Sequence, residues 1–453
     1  MTVGIPPQND LPECIRCLLS GPPDGHKDPA VQRIYAMAAG IRRAAGEAPL
    51  CLGSASREVI AASLLAALAG GPPVILPPDF TAPVLAAIHR ETGFEILLAA
   101  PRTPGLSFCR SMDPAGLRTA APLAASDGTK APADLWVHLY TGGSTGAPRC
   151  WSKTVANLLG EAVFQARRIS LAPADLVLST VPAHHIYGLL FTVLAPLAAG
   201  ARVVGGSPVF PAEIAAALDE TGATVLVSVP AHYRLLADRL SRGTMLRLAL
   251  SSAAPLPAAD AEAFFLATGV PLEEVYGSTE TGGIATRCRA RGETALTPLT
   301  GLDWRIRDGH LRVRSPFLSP ELPRDREGFF HTADRVAAVD AGGFVIRGRS
   351  DGIVKIAGRR VDLESVRRRI LAIRGVREAV VFARPSEGGR QTEILALVQT
   401  SLAAAVIRAR LQAELPAWAV PRTIRVTDRI PLAATGKFDR QAVAALFRGM
   451  ERK

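Results

Sequence analysis

Cysteine is scarce in this chain: six in 453 residues, Cys14, Cys17, Cys51, Cys109, Cys150 and Cys288, scattered except for the first two. Such scatter excludes a disulfide framework and points to reduced thiols in a cytoplasmic setting. Cys14-x-x-Cys17 has the spacing of half a metal site, but no second Cys-x-x-Cys and no His-x-His answers it, so a pair of ordinary thiols is the simpler reading. The opening residues, MTVGIPPQNDLPE, lack the basic start and apolar centre of a secretory signal. An unbroken apolar run of membrane length is also missing. The most apolar window, VIAASLLAALAGGPPVILPP, is interrupted by Gly70-Gly71-Pro72-Pro73 and reads as helix, turn, strand. Nor does charge of one sign collect anywhere. Lys and Arg number 52 against 41 for Asp and Glu, a net charge of +11 spread along the chain. That excess is compatible with anionic partners such as nucleotides or acidic proteins, and its dispersion argues against a nucleic-acid surface.

What is present is a globular composition, 48% hydrophobic and 21% charged, long enough for two or three domains. Between residues 135 and 276, short apolar runs (LWVHLY, DLVLSTV, ARVV, ATVLVSV, LRLALSS, EEVYG) alternate with helical stretches such as PAEIAAALDETG and PAHYRLLADRLSRG. Near-continuous apolar strands joined by helices predict a doubly wound α/β layer, in which ligands gather beyond the carboxyl ends of the strands. From about Gly301 to Arg349 the pattern turns strand-rich, with Asp-Gly and Gly-Gly turns. A different layout begins at Ser350 or Asp351. The expected organisation is an N-terminal domain over 1–349, including a β-rich subdomain at about 300–349, and a small α+β domain over 350–453.

The stretch YTGGSTGAPR, 140–149, leaves a predicted strand and precedes a helical pattern that begins near Thr154. A loop of Gly, Ser and Thr can turn several N–H and O–H donors toward a phosphate. It is neither GxxxxGK[ST] nor GxGxxG, and by itself it could be a plain turn. Its company is more specific: YGSTETGG (276–283), HTADR (331–335), GRSDGIVKIAGRRVDLESV (348–366) and PLAATGKFDR (431–440). In this order the motifs resemble the adenylate-forming superfamily of acyl- and aryl-CoA synthetases, peptide-synthetase adenylation domains and luciferases, over about residues 135–445.

The resemblance implies roles. Thr141, Gly143, Ser144, Thr145 and Gly146 would wrap the β- and γ-phosphates of ATP, with Arg149 where the family has a lysine. Arg keeps the charge but presents a planar fork. Ser252, Ala253 and Ala254 would border adenine, Tyr276 would stack on it beside Gly277 and Ser278, Thr279 would bond the α-phosphate, and Glu280 would hold Mg²⁺. Asp334 and Arg349 match the ribose pair, although Asp334 alone could be a loop cap. Lys437 matches the lysine that bridges the substrate carboxylate and the α-phosphate, Asp351 the hinge of a mobile C-terminal domain, and Lys355 and Gly358 the thiol tunnel.

The implied reaction is activation of a carboxylic acid to acyl-AMP, followed by transfer to CoA or to the phosphopantetheine of an acyl carrier protein. Adenylation without CoA transfer and a non-catalytic nucleotide-binding relative are the alternatives. PAHHIYGLL resembles the FHIYG form of acyl and aryl acid ligases and lacks the Asp expected for an α-amino acid. Candidate pocket residues are His185, Tyr187, Val229, Pro230, His232 and Gly277. Two departures stand out: a short segment before the loop, and PRCWSKT after it, with Trp151 and Lys153 at positions that are bland in most relatives. Both are similar to the compact AMP-ligases of polyketide-like or aryl polyene pathways. Basic clusters at Arg359-Arg360 and Arg367-Arg368-Arg369 would suit either thiol acceptor.

Overall fold

The computed structural model describes residues 10–21, 28–99, 106–119, 123, 128–142, 148–339, 342–356, 359–385, 392–433 and 438–448. It divides into two units, Met1–Asp303 with Arg314–Gly328, and Trp304–Val313 with Phe329–Lys453. The architecture is mixed α/β, with a large first unit and a smaller α+β second unit.

Among the described residues the first unit holds two sheets. One contains β1 (Leu50–Leu52), β2 (Val74–Leu76), β3 (Ile96–Leu98), β4 (Arg110–Met112), β5 (Leu135–Gly142) and β6 (Pro148–Thr154), in the order β4-β3-β1-β2-β5-β6. The first three strands, LCL, VIL and ILL, are buried on both faces, as parallel strands covered by helices must be. VIAASLLAALAGGPPVILPP resolves into helix Arg57–Leu68 and β2. No helix of the described residues is long and apolar enough to cross a membrane. β6 is a difference from the sequence reading, which ran the loop directly into a helix. PRCWSKT instead pairs antiparallel with β5 along its length. As an edge strand it tolerates Pro148 at its first residue and two cations within it.

The strand ends where Thr154 caps helix Val155–Arg168. The Asn157 N–H donates to Thr154 Oγ1 at 3.1 Å, and the Thr154 N–H donates to Asn157 Oδ1 at 3.1 Å. A reciprocal cap of this kind contributes about 1 kcal/mol. The helix is buried from Leu158 to Ala166, and its Leu158, Leu159 and Ala162 share one apolar cluster with strands of both sheets.

The second sheet contains β7 (Leu176–Ser179), β8 (Arg202–Val203), β9 (Val225–Ser228), β10 (Leu248–Ser251), β11 (Leu272–Ser278), β12 (Gly282–Cys288) and β13 (Thr297–Pro298), in the order β13-β12-β11-β10-β9-β7-β8. β7 to β11 are parallel, and β12 and β13 are antiparallel additions. β8 lies on one side of β7 and β9 on the other, so the winding reverses between β7 and β9. A ligand crevice is expected at that reversal.

In the second unit, β14 (Asp303–Arg307), β15 (His310–Arg314), β16 (Phe330–Val339) and β17 (Gly343–Arg349) make one sheet; β18 (Ile353–Ile356) and β19 (Arg359–Asp362) make a pair; and β20 (Val376–Pro385), β21 (Thr392–Thr400) and β22 (Thr423–Thr427) make a third sheet. Helices Leu363–Leu371 and Ala404–Glu414 share an apolar core with that last sheet through Val366, Ile370, Ile407 and Leu411.

Candidate active site

Thr141 and Arg149 are register partners near the loop end of the β5–β6 pairing, one pair before Gly142 and Pro148. The Arg149 guanidinium lies over the Trp151 ring, 4.0 Å from its centroid, and Trp151 Nε1–H donates to Thr141 Oγ1 at 3.2 Å. The two departures noted at Arg149 and Trp151 are therefore one arrangement. A planar guanidinium stacks flat on an indole, which a lysine ammonium does not do. Gly143, Ser144, Thr145 and Gly146 lie outside the described residues, as do Gly358 and Lys437. For Asp351 and Lys355 only the backbone is described, in a 3₁₀ turn and in β18.

Beyond β10, Ser252 Oγ donates to Val275 O at 2.8 Å, and Ala253 takes a left-handed φ of 73°. Ala254 is exposed beside it, so this edge of the sheet is lined by small groups. The β11–β12 hairpin carries Tyr276 to Gly283, with a register shift between Tyr276 and Gly277. A Cβ at Gly277 would lie 2.2 Å from Gly282 O, so only glycine fits there. Ser278 Oγ and Thr281 Oγ1, 2.8 Å apart, close the turn and leave Thr279 and Glu280 at its tip, half-buried.

Among the described residues no donor bonds the Glu280 carboxylate, which leaves both of its oxygens for a cation. No group of three His, Cys, Asp or Glu among the described residues forms an all-protein cage. One open carboxylate fits Mg²⁺, an ion that keeps waters and takes phosphate oxygens for most of its ligands.

Sequence reasoning did not find the cluster behind this turn. Lys153 is fully buried, and its Nζ donates to Phe317 O at 2.9 Å and to Glu280 O at 3.4 Å. Glu161 is also buried, and its Oε1 accepts the Gly283 N–H at 2.6 Å. Burial pushes the Lys153 ammonium down to about 8 and the Glu161 carboxyl up to about 7, each shift partly offset by the other's charge. The one sequence signal was Lys153 itself, an alternate position of β6 on the same face as Trp151.

At the reversal between β7 and β9 stand the predicted pocket residues. Tyr187 Oη–H is pinned to the strand ends, 2.7 Å from Leu250 O and 3.2 Å from Ser228 O, so its ring serves as a wall. His232 Nδ1 is 3.0 Å from both Ser228 Oγ and Thr180 Oγ1, and those hydroxyls are 2.7 Å from each other. Val229 and Pro230 lead from β9 into the short helix that carries His232. Burial holds His232 below its ordinary value and pushes His184 down to about 4. His184 packs 4.2 Å from the His185 ring and 4.8 Å from Phe80, an aromatic lining.

In the second unit, Asp334 and Arg349 are register partners of β16 and β17, and Arg349 Nη1 donates to Asp334 Oδ1 at 3.2 Å. Thr332 Oγ1 accepts the Asp334 N–H at 3.2 Å, so the main chain of Asp334 is fixed within β16. At the other end of the chain, Cys14 and Cys17 are free thiols on helix Leu11–Leu19, and burial pushes Cys14 up to about 11.

The sequence matches the AMP-binding enzyme family over residues 31–316 and the AMP-binding enzyme C-terminal domain over 368–437. It is 33% identical over 299 residues to 4-coumarate–CoA ligase of Rhodobacter capsulatus, covering 66% of this chain and 73% of that one. It is 29% identical over 400 residues to sulfoacetate–CoA ligase of Cupriavidus necator (80% and 76% covered), and 28% identical over 434 residues to anthranilate–CoA ligase of Pseudomonas aeruginosa (84% and 83%). ATP-bound MatB from Rhodopseudomonas palustris superposes with a TM-score of 0.80 over 97% of this chain and 99% of that one, at 21% identity, a likeness of fold.

Proposed function

We propose a reaction for this chain from the premise that it belongs to the AMP-binding enzyme family, the adenylate-forming CoA ligases. Members of this family activate a carboxylic acid with ATP and pass the acyl group to CoA. For this chain the acid is an aryl or medium-sized acyl acid with an uncharged tail, and the first thiol acceptor is CoA. The observation that carries the reading is the β11–β12 turn, which holds Thr279 and an open Glu280 carboxylate at the sheet edge shared with Ser252, Ala253 and Ala254.

A carboxylate is a poor acyl donor because its leaving group would be oxide. Its oxygen attacks the α-phosphorus of ATP and pyrophosphate departs, which turns that oxygen into the bridge of a mixed anhydride. The thiol then attacks the carbonyl carbon, and AMP leaves with the bridging oxygen. The first step brings two anions together, so cationic groups carry much of the rate. Arg149, fixed on Trp151, would meet the phosphates, and Lys437 would bridge the carboxylate and the α-phosphate. Glu280 would hold Mg²⁺, which when bound neutralises phosphate charge. Asp334, set by its strand and by Arg349, would accept the ribose hydroxyls. Asp351 would be the hinge about which the C-terminal residues, from 350 onward, swing between steps, and Lys355 and Gly358 would line the thiol path in the second.

The pinned Tyr187, the neutral His232 and the aromatic stack at His184 and His185 support an aryl or uncharged acid, and two of the relatives above act on acids named as coumarate and anthranilate. The Arg367 to Arg369 run does not favour a carrier protein. Arg367 is paired with Glu364 and Glu378, Arg368 donates to Arg347 O, and Arg369 is paired with Glu414. Free thiols throughout suit a cytoplasmic enzyme.

An ATP–pyrophosphate exchange screen over aryl, aliphatic and amino acids tests the reading, followed by CoA and phosphopantetheinylated carrier protein as acceptors. Exchange is expected with an aryl or medium-sized acid and not with α-amino acids. Absence of exchange with every acid, despite ATP binding, would make the chain a non-catalytic relative.

A further inference from the structure

Two charged side chains outside the nucleotide motifs are buried behind the turn that carries Thr279 and Glu280. Lys153 follows Arg149 and Trp151 on one face of β6, and Glu161 sits mid-helix, one turn before the buried Gln165. Burying charge is costly unless directional partners replace water. Here the partners are main-chain groups on either side of one turn.

Lys153 Nζ bonds Glu280 O and Phe317 O, and the Ser319 N–H donates to the same Glu280 O at 2.8 Å, so the ammonium joins the turn to the 315–319 segment at a second point. Glu161 takes the Gly283 N–H on the other side. Gly282 is pressed into this cluster: an added Cβ would lie 2.5 Å from Glu161 Oε2 and 2.8 Å from Phe317 Cβ. The two charges are not in hydrogen-bond contact with each other, and Glu161 Oε2 has no hydrogen-bond partner. Each supports the other through its field, Glu280 and Glu321 add to the support of Lys153, and the bonds of both are directed at the turn and the segment beside it.

We propose that Lys153 and Glu161 are positioning residues that clamp the Thr279–Glu280 turn in its working shape before nucleotide arrives, an inference that rests on the adenylating reaction above. The turn needs such a clamp because it runs into Gly282 and Gly283, the residues with the greatest backbone freedom. The clamp also links the turn to the phosphate-side cation. Arg149 and Lys153 are four residues apart on one strand, a separation of about 13 Å along a stiff element.

The test compares wild type with Lys153→Met and with Lys153→Met/Glu161→Gln. The single variant strands a buried carboxylate and melts at a lower temperature. The double variant removes both charges, keeps an acceptor for the Gly283 N–H and regains most of the melting temperature. Its KM for Mg·ATP nevertheless rises about tenfold, the scale of a lost charged hydrogen bond, and its Mg²⁺ half-saturation rises with it. Wild-type thermal stability combined with wild-type KM and Mg²⁺ dependence in the double variant would overturn the proposal.

Hydrogen exchange in wild type decides independently, even if the variants do not fold. The peptide 276–288 is protected without nucleotide if the turn is clamped in advance. Protection that appears only on adding Mg·ATP would sink the clamp. Both readings of exchange need no acid substrate, so they stand apart from failure of the adenylating reaction, which wild-type pyrophosphate exchange reports.

Discussion

The two hairpins that carry the proposed nucleotide contacts, β5–β6 and β11–β12, are held by different groups. β11–β12 is shaped by small groups: the glycine contact at Gly277, the register shift beside it and the hydroxyl pair Ser278–Thr281. β5–β6 is shaped by large ones, a guanidinium on an indole and an indole N–H on Thr141, and it lends the other hairpin the buried Lys153 ammonium, which bonds Glu280 O. The departures from the family pattern, Arg149, Trp151 and Lys153, all lie on β6, whereas YGSTETGG keeps the expected residues. The close approach of Gly282 O excludes any larger residue at Gly277.

Substitutions at three positions break or sharpen that contrast. Glu280→Gln should have the largest effect, lowering pyrophosphate exchange by about 10²–10³-fold as a charge at the developing phosphate is lost, while Mg-free ATP binding measured by calorimetry is unchanged. A loss below tenfold would remove Glu280 from the metal role. Arg149→Ala should lower kcat/KM for ATP by about 100-fold and Arg149→Lys by about tenfold, because lysine restores the charge but not the plane that stacks on Trp151. Full activity in Arg149→Lys would show that the stack is incidental. Trp151→Phe should have the smallest effect, about threefold, since phenylalanine keeps an aromatic face and loses only the hydrogen bond to Thr141. A loss as large as that of Arg149→Ala would mean that the indole N–H, rather than the ring face, places the cation.

Much of this was legible in the sequence because it rests on local pattern. LWVHLY, DLVLSTV, ATVLVSV, LRLALSS and EEVYG appear as β5, β7, β9, β10 and β11, and the helix–turn–strand reading of the apolar window holds. Asp334 and Arg349, 15 residues apart, meet because two strands pair in register, which the hairpin pattern implied but did not specify.

What stayed illegible is long-range. PRCWSKT carries a proline and two cations, so it reads as loop, and only its pairing with β5 makes it a strand. In the sequence Lys153 stands out only as a departure from the family pattern, and Glu161 carries no reading. Their burial depends on the 315–319 segment and on Gly282–Gly283, more than 120 residues away in sequence, folding over them.

The central claim, that the carboxylate itself attacks the α-phosphorus, is tested most directly with the acid selected by exchange, labelled with ¹⁸O in its carboxylate and turned over once with ATP and CoA. Adenylation predicts one ¹⁸O atom in AMP and none in pyrophosphate. Label in inorganic phosphate with ADP as the co-product, or AMP free of label, would contradict it.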